Sequence, residues 1–418
     1  MAGGVILRVP AKPKGAGIWV VLLGLFAVLL ASRLPTAMWQ GRFWAEEGTI
    51  FYLNAMTQSV SQSLFIVHTG YINIIANTAT LLAALVSPEN APHVTMLIAL
   101  GFHMLPGVLL ATADLPWLKS PWSFMLALLM VALPPGSEEV WLNSITSQYI
   151  LMLCAALVLM FDPPRGAVRF LHYGVLMLAP LTGPGGVIFA PLFALRALLD
   201  RSRLRLWQAI IIGVPAILQG YVIIAHMLPE RVQHIDPAML ALVFYVKQVL
   251  IPFAGGHMAP WADAIRAAVQ QGHYPLRGLL VPVVLLVGLV IAIRSRPELC
   301  WALAAALVSM TICTVGAVGQ VQIDLLSYGA GNRYYYVSWV LFGLIIVALA
   351  HDERAWIRLP ASVLVLGILV VGLRYYWLVM PDMAAGPDWK QQVAAWRQGE
   401  PLVQGWGAVR AWTFALPR

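Results

Sequence analysis

Charge is what this 418-residue chain has least of: Asp, Glu, Lys and Arg together make up 11% of it. Water-soluble domains carry about a quarter, so a surface meant for water is excluded over most of the chain. Cysteine is nearly absent. The three present, Cys154, Cys300 and Cys313, lie in apolar stretches without metal-ligand spacing, which implies no structural disulfide and reads as small core residues. No segment looks like a soluble α/β half with a glycine-rich phosphate loop, the usual seat of a nucleotide sugar. The short alternating strands of a closed barrel are missing too. What remains is 60% apolar residues, a mean hydropathy of +0.80 and repeated apolar runs of bilayer length. The predicted class is therefore an all-α polytopic membrane protein. The net charge of +8 calls for no nucleic acid, because the Arg residues sit largely in short loops, where they set topology.

Taken in order, residues 1–17 are basic and predict a short cytoplasmic tail before an uncleaved signal anchor at 18–34. A first outside loop comes next at 35–70, with a stretch from Thr49 to Phe65 that suits a helix lying in the interface. Further spans are predicted at 71–86, 93–113, 121–134 and 147–161. A broken pair, 168–181 and 183–199, is hinged at the run from Pro180 to Gly186. Span 206–228 leads to a long outside loop at 229–277, and spans 278–293, 299–318, 334–350 and 359–379 leave a short outside tail at 380–418. Residues 1–379 form the transmembrane domain. The basic clusters at Arg196–Arg205 and at Arg354 and Arg358 mark the inside. Parity requires that one of the three stretches between 71 and 134 fail to cross. The 14-residue stretch 121–134, bounded by prolines, is the first candidate, and about eleven crossings remain.

Four segments then converge on the outside face. The first loop brings Arg42, Glu46, Glu47, His68 and Tyr71. The loop at 135–146 brings Glu138, Glu139 and Asn143 and runs into Gln148. The approach to span 334–350 brings Asp324, Arg333 and Tyr334, and the tail brings Trp389. Adjacent carboxylates beside a bilayer are costly unless solvated, paired or used. A carboxylate can take the proton of an acceptor hydroxyl, Arg can hold a phosphate with a planar fork, and aromatic rings can pack on sugar faces. At each position a plainer role competes: solvated loop acids, interface-belt Trp and Tyr, or an Arg that anchors a helix end.

The segments Phe43–Gly48, Gly70–Tyr71, Glu139 with Trp141, Asn143 and Gln148, Pro180–Gly186, Arg333–Tyr335 and Trp389 with Trp396–Gly399 together resemble the GT-C superfamily. Its members are integral-membrane glycosyltransferases that use polyprenyl-phosphate-linked sugars, here of the bacterial cell-surface glycan type. The resemblance implies a GT-C-like fold with interfacial or re-entrant helices, and a hexosyl- or pentosyltransferase of inverting geometry. It implies one of Glu46 or Glu47 as general base, Glu138 or Glu139 as a second-loop acid, and Arg333 as a ligand of the donor phosphate. Arg42, His68, Tyr71, Asn143, Gln148, Tyr334 and Trp389 are expected to line the substrate site. The expected partners are a polyprenyl-phosphate sugar donor, a glycan or lipid acceptor and membrane lipids. The expected location is a bacterial inner membrane, with the site facing the periplasm. Two neighbouring carboxylates also leave open a bound divalent cation or one carboxyl with a raised pKa. The alternative from another class is a lipid or polysaccharide transporter or flippase, for which the Gly/Pro break and the many spans speak.

Overall fold

The computed structural model describes residues 16–226, 236–317, 322–378, 388–406, 410–413 and 416. The basic stretch before residue 16, residues 229–235 of the long loop and 380–387 of the tail lie outside the described residues. In chain order the main helices are α1 (Ala16–Ser32), α2 (Ile74–Ala83), α3 (Ala91–Thr112), α4 (Pro121–Ala132), α5 (Ser147–Met160), α6 (Val168–Leu181), α7 (Ala190–Asp200) and α8 (Arg203–Ala225). They continue as α9 (Pro237–Phe244), α10 (Ala259–Gln270), α11 (Leu280–Ile293), α12 (Pro297–Ala317), α13 (Tyr336–Leu349), α14 (Ala355–Tyr375) and α15 (Trp389–Arg397). Among the described residues the strands form two short antiparallel pairs: β1 (Val67–His68) with β2 (Tyr71–Ile72), and β3 (Val403–Trp406) with β4 (Arg410–Thr413). The chain is thus an all-α polytopic membrane protein. Seven helical segments are long and apolar enough to cross a bilayer, and five more apolar helices are shorter.

The centre post is α5. Every residue from Ser147 to Met160 is buried, and the helix is apolar nearly all round, as a helix surrounded by others must be. Side-chain contacts sort the helix ends onto two faces. α1 and α4 run in the same direction: Trp19 meets Phe124 edge-on at 4.3 Å near their starts, and Arg33 Nη1 donates to the Ala132 carbonyl at 2.8 Å near their ends. One face gathers the basic turns. Arg196 and Arg205 share Asp162 and Asp200, Arg296 and Arg354 share buried Asp352, and Ser123 bonds His351 at 2.7 Å. The opposite face gathers the Glu-bearing loops.

Helix α2 is the stretch that fails to cross. Its ten residues rise only about 15 Å, and both ends sit on the acidic face. Asn73, its cap, donates to the Ile145 carbonyl at 2.8 Å. The turn after it receives a hydrogen bond from Trp389 Nε1 at the Pro88 carbonyl, and Arg397 pairs with Glu89 at 2.7 Å. The 121–134 stretch, singled out from its length, does cross as α4. Its twelve residues rise about 18 Å, and the chain beyond it stays inside the protein, where Leu133, Val140, Trp141 and Leu142 are all enclosed. Irregular backbone next to a span is tolerated where protein, not lipid, surrounds it.

The apolar segment Pro237–Gln270 has bilayer length yet turns back. Its chain reverses at Gly255 (φ 55°), packed on Tyr375, and the flanking residues meet where Tyr274 Oη donates to Asp236 Oδ2 at 2.9 Å. Counting α1, α3 to α8 and α11 to α14, eleven segments run between the two faces among the described residues. In a background with the three cysteines replaced by Ala, Gln58→Cys and Ser87→Cys, both exposed positions flanking α2, should label from the same side of the membrane. Exposed Glu353→Cys should label from the other. Labelling of Ser87→Cys together with Glu353→Cys would mean that α2 crosses.

Candidate functional site

The acidic loop at 133–146 is held open-sided by its own side chains. Ser137 Oγ donates to the Pro134 carbonyl at 2.6 Å and receives Trp141 Nε1 at 3.1 Å and Arg33 Nη2 at 3.2 Å. Arg33 is fully buried, with its guanidinium 4.5 Å from the Tyr376 ring centre and 5.3 Å from that of Trp141. The far limb of the loop turns at Leu142 (φ 57°), and Asn143 Oδ1 closes it by accepting from the Thr146 amide and hydroxyl at 3.0 and 2.7 Å. Asn143 Nδ2 is used as well, on the Glu139 and Trp141 carbonyls. Its polar atoms are therefore spent on the loop.

Glu47 joins this loop to the first one. It opens a wide, π-helical turn from Glu47 to Tyr52, a distortion that recurs at functional sites. Its side chain is fully buried. Oε1 accepts the Ser144 amide at 2.8 Å and the Ser144 hydroxyl at 2.5 Å, and Oε2 accepts the Trp44 amide at 3.0 Å. Burial pushes this carboxyl above the usual range, opposed by those hydrogen bonds and by the hydroxyl of Thr95. Glu46, one residue earlier, is half-buried, and its carboxylate makes no hydrogen bond or ion pair among the described residues. The two adjacent acids are thereby separated in kind.

The next group lies around a cavity of about 260 Å³ lined by Glu138, Glu139, Asn332, Tyr328, Tyr375 and Leu378, with Gly136 and Gly329. Arg333 forms an ion pair with Glu139, and its guanidinium lies 5.0 Å from the Tyr334 ring centre. Tyr334 in turn meets Tyr149 edge-on at 6.1 Å. Gln148 Nε2 donates to Tyr71 Oη at 3.4 Å, and β1–β2 is clamped to α8 by Gln219, which exchanges two hydrogen bonds with Ile72. Glu138 is buried beside Arg33. Burial raises its carboxyl above the usual range, with the Arg33 charge acting against it.

The remaining expected residues are placed differently. Trp389 is 2% exposed, donates to Pro88 and stands edge-on to Phe43 at 5.2 Å, so it docks the tail on the first loop and offers no open ring face. Arg42 is buried and donates to Gln40 at 3.3 Å, and His68 stands edge-on to Phe51 at 5.8 Å. Neither Arg42, His68 nor Glu46 lines the Glu138–Glu139 cavity. Among the described residues no group of three His, Cys, Asp or Glu gathers as a metal site. Sequence reasoning missed Arg33, Ser144, Asn332 and Lys247. Of these Arg33, near the end of the predicted span 18–34, and Lys247, a lone cation in an apolar helical run, carry a signal readable in advance.

These features define a polytopic membrane protein whose acidic face holds buried carboxylates and a paired guanidinium beside a cavity. No protein-family model matches the chain, and no curated protein does. Among solved structures it is similar to the crystal structure of ArnT from Cupriavidus metallidurans bound to undecaprenyl phosphate. The two share 12% identity over 86% of this chain and 76% of that one, with a TM-score of 0.43.

A carboxyl raised in the folded state stabilises the protein while protonated. Its contribution is complete below the range of a free glutamate and is lost as pH rises through the raised value. Glu138→Gln, a neutral isostere, should therefore flatten the fall in thermal midpoint as pH rises above the range of a free glutamate. An unchanged slope would show that Glu138 keeps the same protonation in both states.

Proposed function

We propose that this protein is a membrane glycosyltransferase that moves a sugar from a polyprenyl-phosphate-linked donor to a cell-envelope glycan or lipid acceptor, with inversion. The acidic face would be the outer side of a bacterial cytoplasmic membrane, since the basic turns gather on the opposite face, where the positive-inside rule puts the cytoplasm. The observation that carries the proposal is the Glu139–Arg333 pair at a carboxylate- and tyrosine-lined cavity on the acidic face. A guanidinium held in place by a carboxylate and an aromatic ring suits a phosphate that must be gripped while its charge grows.

In the proposed reaction, Glu46 takes the proton of the acceptor hydroxyl. The hydroxyl oxygen attacks the anomeric carbon opposite the phosphate, the carbon–oxygen bond to phosphate breaks, and polyprenyl phosphate leaves with the electron pair. Arg333 stabilises that leaving charge, a type of interaction whose loss costs roughly 10²–10³ in rate. Glu46 is chosen over Glu47 because all the lone-pair directions facing Ser144 and Trp44 are already occupied on Glu47, while the Glu46 carboxylate is uncommitted. The Gly/Pro break gives no support to the transporter alternative. A Cβ on Gly183 would overlap Gln148 and one on Gly185 would come within 2.7 Å of Met152, so these glycines serve close packing on α5.

Glu46→Gln should lower kcat by roughly 10²–10⁴ with an unchanged thermal midpoint, because the amide keeps the volume and cannot accept the proton. Glu47→Gln should instead destabilise the protein by about 1–3 kcal/mol, since its NH₂ group faces donors. Normal transfer in Glu46→Gln would remove Glu46 from the chemistry. Arg333→Lys separates a phosphate ligand from a helix-end anchor, because Lys keeps the charge and loses the fork. A phosphate ligand should lose about 10²-fold in kcat/KM for a synthetic polyprenyl-phosphate sugar. Unaltered donor dependence in both Arg333→Lys and Arg333→Ala would make Arg333 structural.

A further inference from the structure

Lys247 lies in the apolar helical segment that folds back on the acidic face, in a π-helical stretch from Tyr245 to Leu250 that continues α9. Its side chain is fully buried, and no carboxylate pairs with it among the described residues. Such a cation is expensive unless something replaces its water. Here the replacement is a cage of oxygens: Nζ donates to the carbonyls of Ser327 at 2.9 Å and Ala330 at 2.7 Å and to Asn332 Oδ1 at 2.7 Å, with the Tyr328 carbonyl at 3.4 Å. An ammonium has three protons, and the three short bonds use them all. Lys247 therefore has no proton left for a substrate phosphate while this arrangement persists.

The cage extends further through Asn332. The face of Asn332 opposite Lys247 lies against Gly136, whose φ is 76° and where a Cβ would overlap Asn332 Nδ2. Gly136 belongs to the loop that carries Glu138 and Glu139, and the residue after Asn332 is Arg333. The backbone of Lys247 is itself fixed, because Trp339 Nε1 donates to its carbonyl at 2.6 Å. A second grip acts on the same turn from α10, where Arg266 donates to Asp324 at 2.5 Å and to Ser327 Oγ at 3.0 Å.

We infer that Lys247 is a positioning residue: its ammonium sets the Ser327–Asn332 turn, and through Asn332 the acidic loop, so that Arg333 and Glu139 meet at the edge of the cavity. Its effect on transfer rests on the glycosyltransferase proposal, whereas its effect on the two loops does not. The bland alternative, a cation that merely neutralises carbonyl dipoles, would hold the turn and leave the acidic loop untouched.

Hydrogen exchange measured by mass spectrometry on the full chain in lipid nanodiscs needs no substrate and separates these cases. Lys247→Met should raise exchange at least about tenfold in both 327–333 and 135–143, since carbonyls and Asn332 lose a common donor. Asn332→Ala should raise it in 135–143 and leave the 327–331 backbone cage protected. In a transfer assay both variants should raise the KM for donor more than they lower kcat. Wild-type exchange of 135–143 in Asn332→Ala would overturn the inference, whatever Lys247→Met does. Should Lys247→Met not insert, the inference is read from Asn332→Ala alone, in which raised exchange of 135–143 supports it and wild-type exchange there overturns it. Altered exchange in a protein whose wild type transfers no sugar would count against the glycosyltransferase proposal alone.

Discussion

A carboxylate bonded to a backbone amide across two loops is the interaction on which the acidic face depends. Glu47 is fully buried, its bonds to Ser144 tie the first loop directly to the loop after α4, and its bond from Trp44 fixes it within the first loop. Hydrogen bonds to a buried carboxylate are stronger than neutral ones, and leaving that group unmet is far more costly than in water. Once Ser144 is fixed, Asn143 and Thr146 close the turn, α5 can start at Ser147, and Glu138 and Glu139 face the cavity from the near limb. Adjacent Glu46 projects from the same backbone without such commitments, which is why the proposal gives it the chemistry and Glu47 the framework.

The buried charges of this face share one pattern. Each cation is met by a different kind of partner: Arg33 by a carbonyl, a hydroxyl and two aromatic rings, Lys247 by carbonyls and an amide oxygen, Arg333 by a carboxylate and a tyrosine. Carbonyl and amide oxygens satisfy a cation without being titratable themselves, so the hydrogen bonds of Lys247, and that of Arg33 to Ala132, do not depend on a carboxylate partner. Arg333, like Arg266 with Asp324 and Arg397 with Glu89, is matched with an acid that a phosphate oxygen can replace in kind, and of these three acids Glu139 is the one that lines the cavity. That distinction assigns fixed cations to architecture and the exchangeable one to the proposed substrate.

Much of the fold was legible in one dimension because a bilayer punishes unsatisfied backbone so severely. Apolar runs, proline boundaries and Arg-rich turns were enough to predict an all-α polytopic chain and about eleven crossings. The short stretch 121–134 is misleading, because its length alone takes no account of how the residues beyond it are packed. Residues 135–146 read as an outside loop from their acids, and only the packing of Val140 and Trp141 among helices shows that part of this loop is enclosed by protein. Helix α2 misleads in the opposite sense. It is apolar enough to cross, and the contacts of its ends with Ile145 and Trp389, which come from 72 and 301 residues further along the chain, decide that it does not.

The site divides along the same line. Composition and spacing determined by themselves that scarce charges would cluster on one face, that Glu46, Glu47, Glu138, Glu139 and Arg333 were the residues worth attention, and that tyrosines would accompany them. Those are properties of residue type and of position relative to apolar runs. Which acid is spent on framework and which stays free, that Arg333 meets Glu139, that Asn143 and Trp389 are consumed by local structure, and that Lys247 and Asn332 belong to the same assembly were decided only by the tertiary structure. The physical reason is that a hydrogen bond is won or lost over tenths of an ångström. Partners such as Glu47 and Ser144, or Lys247 and Asn332, are 97 and 85 residues apart, and no local pattern encodes which of many polar side chains will come within reach.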